Sequence, residues 1–252
     1  MMLLLCVCNC TPNYAGPIQA RTPEKGSQLI ELFTSQGCSS CPPAEAWIEK
    51  LTTHEDLWKR FVPVVFHVDY WDQLGWKDPF ANEQHTRRQY EYRNFHGLSS
   101  VYTPGFFVDG QEWKGFFQQG RLPALRGETS QLEATWNAGT VTIKTTPLAT
   151  NIRYHAVVLG FGLKTSVRHG ENAGRKLEGN FVVLSHKTAT GSVDKAKTDL
   201  VAELSFKSSD LASKAPRYGF AVWATTDTAP IPLGVAGNWL PKHPFAPLKT
   251  AP

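Results

Sequence analysis

No apolar stretch in this chain approaches the roughly 18 residues that a membrane-spanning helix needs, which excludes helical transmembrane anchoring. Charge of one sign is also lacking. The formal net charge is +4, and the basic residues are scattered except around Arg87, Arg88 and Arg93, which read as the solvated face of a helix. That is not the concentrated basic footprint of a nucleic-acid surface, so nucleic acid is not an expected partner. Internal repeats and low-complexity segments are absent. Cysteine is scarce: of five, Cys6, Cys8 and Cys10 fall in the first ten residues, leaving only Cys38 and Cys41 beyond them. A disulfide-stapled secreted scaffold would carry several spaced pairs, whereas one adjacent pair closes a tiny loop and contributes little chain-entropy stabilisation. A zinc site would need two further ligands, and there is neither a second Cys-x-x-Cys nor a His-x-His pair.

What is present centres on Gly37-Cys38-Ser39-Ser40-Cys41-Pro42-Pro43, placed where the apolar run Leu29 to Phe33 gives way to a helical pattern. A strand running directly into a helix puts Cys38 near the helix N-terminus, where unpaired N–H groups and the macrodipole favour a thiolate. Cys41 then falls in the first turn, close enough to close a disulfide. Pro42 and Pro43 suit that turn, because the N–H that proline lacks would have had no helical partner there. Redox chemistry explains this pair better than scaffolding does. Ser39 and Ser40 bring no charge, so helix-end N–H groups are the main support for a Cys38 thiolate.

With 252 residues, 41% hydrophobic and 19% charged, the composition is globular, and at roughly 100–200 residues per domain the length suits two domains. Residues 1–20 read as a leader with an acceptable cleavage point after Ala20, which gives an expected secreted or periplasmic location. In the span 21–127, Gln28 to Phe33 and Phe61 to Val68 read as buried strands and Cys41 to Leu51 as a helix. The aromatic and acidic segment His67 to Pro79 reads as an ordered loop at the cysteine end of the sheet, and Phe80 to Phe95 as a helix stopped by His96-Gly97. Tyr102 to Trp113 reads as a hairpin with an Asp109-Gly110 turn. From 128 to 252 the pattern changes to many short strands punctuated by Gly, Pro, Asn and Asp, which argues a mainly antiparallel, sandwich-like β-domain.

The order of strand, Cys-x-x-Cys, helix, strand, helix and Thr103-Pro104 hairpin resembles the thioredoxin fold. Four stretches, Glu31 to Ala44, His67 to Ala81, Tyr102 to Gly110 and His169 to Leu177, are more narrowly similar to the secreted thioredoxin-like proteins grouped as domain-of-unknown-function family 1223. The resemblance implies an α/β thioredoxin-like domain and thiol–disulfide exchange, with Cys38 attacking and Cys41 resolving. It also implies that Thr103 and Pro104 abut the cysteines and bind substrate, protein thiols or disulfides being the expected partners. Glu31 matches the buried acid of thioredoxins if a longer loop is allowed for, and would relay a proton to Cys41; the alternative is a strand-edge carboxylate facing solvent.

Two further clusters admit two readings each. Trp71, Asp72 and Trp76, with Asp69 and Asp78, either line a substrate groove or complete a self-packed loop. The loop from His169 to Arg175 either contacts the redox site or a partner, or is structural, with Glu171 and Arg175 tying strands together. No cofactor is expected beyond the redox-active Cys38–Cys41 disulfide. The alternatives to an oxidoreductase are a Cu(I) protein using Cys38 and Cys41 with His67, His85 or His96, and a non-catalytic adaptor.

Overall fold

The computed structural model of the chain describes residues 16–118, 121–125, 129–145, 151–193 and 200–246. Most of the expected leader, residues 1–15, lies outside these; Ile18–Arg21, across the expected cleavage point, form strand β1. There follow β2 (Gln28–Thr34), α1 (Pro42–Glu49), β3 (Phe61–His67), α2 (Glu83–His96), β4 (Gly105–Val108), β5 (Gln111–Glu112), β6 (Leu132–Asn137), β7 (Thr140–Thr145) and β8 (Ile152–Phe161). The remainder comprises β9 (Leu163–Ser166), β10 (Lys176–Gly179), β11 (Val182–Thr190), β12 (Ser192–Val193), β13 (Leu200–Ser205), β14 (Arg217–Thr226) and β15 (Gly234–Leu240).

Eight strands form one mixed sheet in the order β15-β14-β8-β11-β3-β2-β4-β5, five form a second sheet in the order β1-β6-β7-β13-β12, and β9 pairs with β10 as a hairpin. This corrects the expected fold class. The chain does not build an α/β thioredoxin-like domain followed by an antiparallel β-domain. Among the described residues there are only two α-helices, of 8 and 14 residues, and the sheets are mixed or antiparallel. The physical reason lies at β3, which pairs in parallel with β2 along one edge and with β11 through Val65 and Val182 on the other. Hydrophobic periodicity shows that a strand is buried, but not which strand takes its edge.

All seven residues of β2 and all seven of β3 are buried, as parallel strands covered on both faces should be. Pro63 is tolerated inside β3 because Val65 N donates to Phe181 O (2.9 Å) where β11 begins. Two residues earlier the same edge has no strand beside it, so the N–H that proline lacks leaves no ladder bond unmade. Thr34 and its register partner His67 face α1, whereas Leu29, Glu31 and Phe33 face α2. Along β8 the alternation continues: Val157, Leu159 and Phe161 join the core that holds both helices, while Ile152, Tyr154, Ala156 and Val158 pack towards the five-stranded sheet.

Helix α2 is capped by Asn82, whose Oδ1 accepts from Gln84 N (2.8 Å), and stops at Gly97 in the left-handed region. Its basic residues are not all solvated. Arg87 is exposed and paired with Glu83, but Arg88 is buried against the sheet, because its guanidinium finds a carboxylate there.

Candidate functional site

The Cys38–Cys41 disulfide closes the turn between β2 and α1 at the end of the two parallel strands. Ser35 builds that turn: its carbonyl accepts from Cys38 N (3.1 Å) and its Oγ from Gly37 N (3.1 Å). A Cβ at Gly37 would lie 3.2 Å from Trp71 Cβ, so glycine permits the close approach of the loop after β3. Cys41 caps α1 with its backbone, Cys41 O accepting from Ala44 N and Glu45 N, and Pro42 and Pro43 occupy the first turn. Both cysteines are fully buried, whereas Ser39 and Ser40 between them are exposed. Ser40 Oγ lies 3.3 Å from Cys38 Sγ, and since a disulfide sulfur carries no proton the serine is the donor.

Several segments hold the turn in place. The Thr103–Pro104 peptide is cis, and the Thr103 carbonyl oxygen lies 3.8 Å from Cys38 Sγ. Trp71 Nε1 donates to Thr103 Oγ1 (2.9 Å), and Trp76 Nε1 donates to Gln36 Oε1 (3.2 Å). Asp72 Oδ1 accepts from Asp78 N (3.1 Å), and Asp78 in turn accepts from Gln36 N (2.8 Å). Thr103, Pro104, Trp71, Asp72 and Trp76 are thus gathered around the cysteines, with both indoles braced by hydrogen bonds and only partly exposed.

Beneath the turn, on the α1 face, His67 Nδ1 donates to Asp78 Oδ2 (2.7 Å) and Thr34 Oγ1 donates to Glu45 Oε1 (2.6 Å). Burial works against a charged His67, but the Asp78 carboxylate outweighs it and lifts the imidazole above its usual range. Burial would raise Asp78 too, and His67 with the backbone donors Gln36 and Phe80 brings it below the usual carboxylate value. Glu45 goes the other way: burial raises it, and His67 and Thr34 offset that only in part.

Glu31 is not in this group. It lies on the opposite face of β2, fully buried, with Arg88 Nε 2.5 Å from Oε1 and the Tyr92 hydroxyl donating to Oε2. Its carboxylate is neither solvated nor directed to Cys41 but committed to an ion pair. The acid that shares the cysteine turn is Glu45, four residues after Cys41. Sequence reasoning missed it, although the i,i+4 spacing within one helix was there to be read. Of the other histidines, His85 Nδ1 bonds His67 O (3.0 Å) and His96 Nε2 bonds Gly110 O (2.7 Å), each within α2's own surroundings.

The second missed group comes from far down the chain. Asn172, in the loop between β9 and β10, donates through Nδ2 to both Gln36 O and Cys38 O (2.9 Å each), and Glu171 Oε2 accepts from Ser39 N (2.9 Å). Of the two readings of this loop, contact with the cysteine turn is the one the geometry shows. The polar, glycine-punctuated composition marked the loop, but nothing in it named the partner.

Fold and site together define a mixed-sheet protein with a buried Cys-x-x-Cys disulfide at a strand-to-helix turn. The chain belongs to the family described as Protein of unknown function (DUF1223), whose family model matches residues 29–224. Among solved structures, Protein AGR_C_4864 from Agrobacterium tumefaciens is 25% identical with a TM-score of 0.54, over 88% of this chain and 96% of that one. HBP35 of Porphyromonas gingivalis is 15% identical with a TM-score of 0.54, over 86% of this chain and 76% of that one, a likeness of fold alone. No curated protein matches the chain.

Proposed function

We propose that Cys38 and Cys41 form a thiol–disulfide exchange centre acting on protein thiols or disulfides in an extracytoplasmic compartment. The observation that carries this reading is a disulfide closing only the short turn between β2 and α1 while several segments of the chain fix that turn through hydrogen bonds. A loop this short contributes little as a cross-link, so the investment around it is better accounted for by reactivity. An oxidising compartment is where such a disulfide persists.

In the oxidising direction an incoming thiolate bonds to Cys38 Sγ, the S–S bond breaks, and Cys41 leaves with the electron pair and takes up a proton. A second substrate thiolate then attacks its own sulfur in the mixed disulfide, releasing Cys38 as thiolate. The substrate leaves as a disulfide, and the protein as a dithiol. The Ser40 hydroxyl is placed to donate to that thiolate, and Glu45, four residues after Cys41, is a carboxyl that burial raises above its ordinary value, the direction that suits proton exchange with the leaving sulfur.

The test is insulin-disulfide reduction with dithiothreitol as electron donor. Cys38→Ser is expected to fall to the uncatalysed background, and Cys41→Ser to accumulate a mixed disulfide with oxidised glutathione that dithiothreitol releases. Turnover of Cys38→Ser equal to that of the unaltered protein would sink the reading.

A further inference from the structure

Cys38, Cys41 and Asn172 are each fully buried, although Ser39, Ser40, Glu171, Ala173 and Gly174 around them are exposed. The disulfide is therefore covered, and the loop from His169 to Arg175 is part of the cover. Asn172 is fully used: Nδ2 reaches Gln36 O and Cys38 O, and Oδ1 accepts from Arg175 Nη1 (2.8 Å). Glu171 takes the Ser39 N–H, and Gly170, at φ +76°, lets the loop lie against Trp76 and Leu74. These attachments are side-chain hydrogen bonds, buried for Asn172 and exposed for Glu171, made by the loop of a two-stranded hairpin whose strands pair with each other and with neither larger sheet. Releasing them breaks no sheet ladder, so the loop can open at far less cost than global unfolding.

We propose that the 169–175 loop is a gate over Cys38–Cys41, held shut by Asn172 and Glu171, and that a substrate thiol reaches Cys38 only when the loop lifts. This rests on the exchange reading above. Asn172 and Glu171 are positioning residues: they set access to the sulfur and take no part in bond making. With dithiothreitol as reductant, one of its sulfurs bonds to Cys38 Sγ as the S–S bond breaks. Its second sulfur then displaces Cys38, giving the cyclic oxidised reagent and the protein dithiol.

The experiment follows reduction of the native full chain by dithiothreitol, with thiols trapped by alkylation and counted by mass, beside amide hydrogen exchange at Ser39. Asn172→Ala is expected to react at least tenfold faster than the unaltered protein, and Glu171→Gln several-fold faster, with Ser39 exchange accelerating in step. Arg88→Met, which weakens the core away from the gate, serves as control and is expected to stay within about twofold well below its melting temperature. Gate variants reacting at the unaltered rate would overturn the gate and leave exchange standing. A disulfide inert in every native form would overturn both. Equal acceleration by Arg88→Met would also overturn the gate, since global opening would then explain access.

Discussion

Arg88→Met is expected to lower the free energy of unfolding by about 3–5 kcal/mol, the usual cost of removing one partner from a buried ion pair. Arg88 and Glu31 have side chains only 3% and 0% exposed. The guanidinium also donates through Nη2 to Tyr92 Oη (3.2 Å) and sits over Phe66, Tyr92 and Trp223, with its carbon 5.7, 5.3 and 4.9 Å from the ring centroids. Methionine keeps much of the apolar stem but leaves Glu31 with only the Tyr92 hydroxyl, which burial keeps protonated and able to donate. Glu31 is then a buried carboxylate without its cationic partner. The double variant Glu31→Met, Arg88→Met removes both charges and should lose less than Arg88→Met alone. Urea unfolding midpoints of the four species give the coupling. Additive losses would show that the pair is not the organising contact of this core.

The second large effect is a loss of stability in mild acid. His155 Nδ1 lies 3.2 Å from His186 Nε2, and His155 Nε2 lies 3.1 Å from Thr225 Oγ1. Burial first, and the nearby Arg88 charge second, hold both imidazoles well below their ordinary range. His85, buried on the same face, is lowered to about 4. Below the unfolded value near 6.5, the unfolded chain takes up protons that the folded protein refuses, so stability falls as pH drops through this window. Each such histidine contributes a slope of about 1.4 kcal/mol per pH unit.

Three groups behave differently. His67 has a raised value, so its stabilisation is fully present below about 6.5 and is lost only as pH rises through the folded value. Burial raises Glu45 and the partly exposed Asp72, which therefore take up protons at a higher pH when folded than when unfolded and offset part of the loss at the acid end. The three lowered histidines set the direction of the balance, and the protein loses stability as the pH falls below about 6.5. Replacing both His155 and His186 by glutamine should flatten the slope by roughly two protons' worth. An unchanged slope in that variant would assign the acid sensitivity elsewhere.

The sequence legible in this fold is the local part. The apolar runs of β2 and β3, the proline pair opening α1, the Gly97 stop of α2 and the Asp109-Gly110 turn, both residues at positive φ, all lie where the residues themselves demand them. Strand β15 begins only at Gly234, past Pro230 and Pro232, which cannot donate to a ladder. What was not legible depends on partners far along the chain. Glu31 waits for Arg88 57 residues later, and Cys38 for Asn172 134 residues later. Composition shows that such groups are buried or poised, but not with whom. The same blindness concealed the parallel pairing of β3 with β11, and with it the fold class.

That pairing has a practical meaning for anyone who cuts the chain. A fragment ending before β6 would keep β2, β3, β4 and both helices yet strip β11 from β3, leaving the Val65 and His67 end of a wholly buried, mostly apolar strand with an open edge. An uncovered hydrophobic edge invites a strand from another molecule. A preparation of residues 21–127 should self-associate more than the full chain does, which size-exclusion chromatography would show, and the stickiness would belong to the missing neighbour rather than to the cysteines.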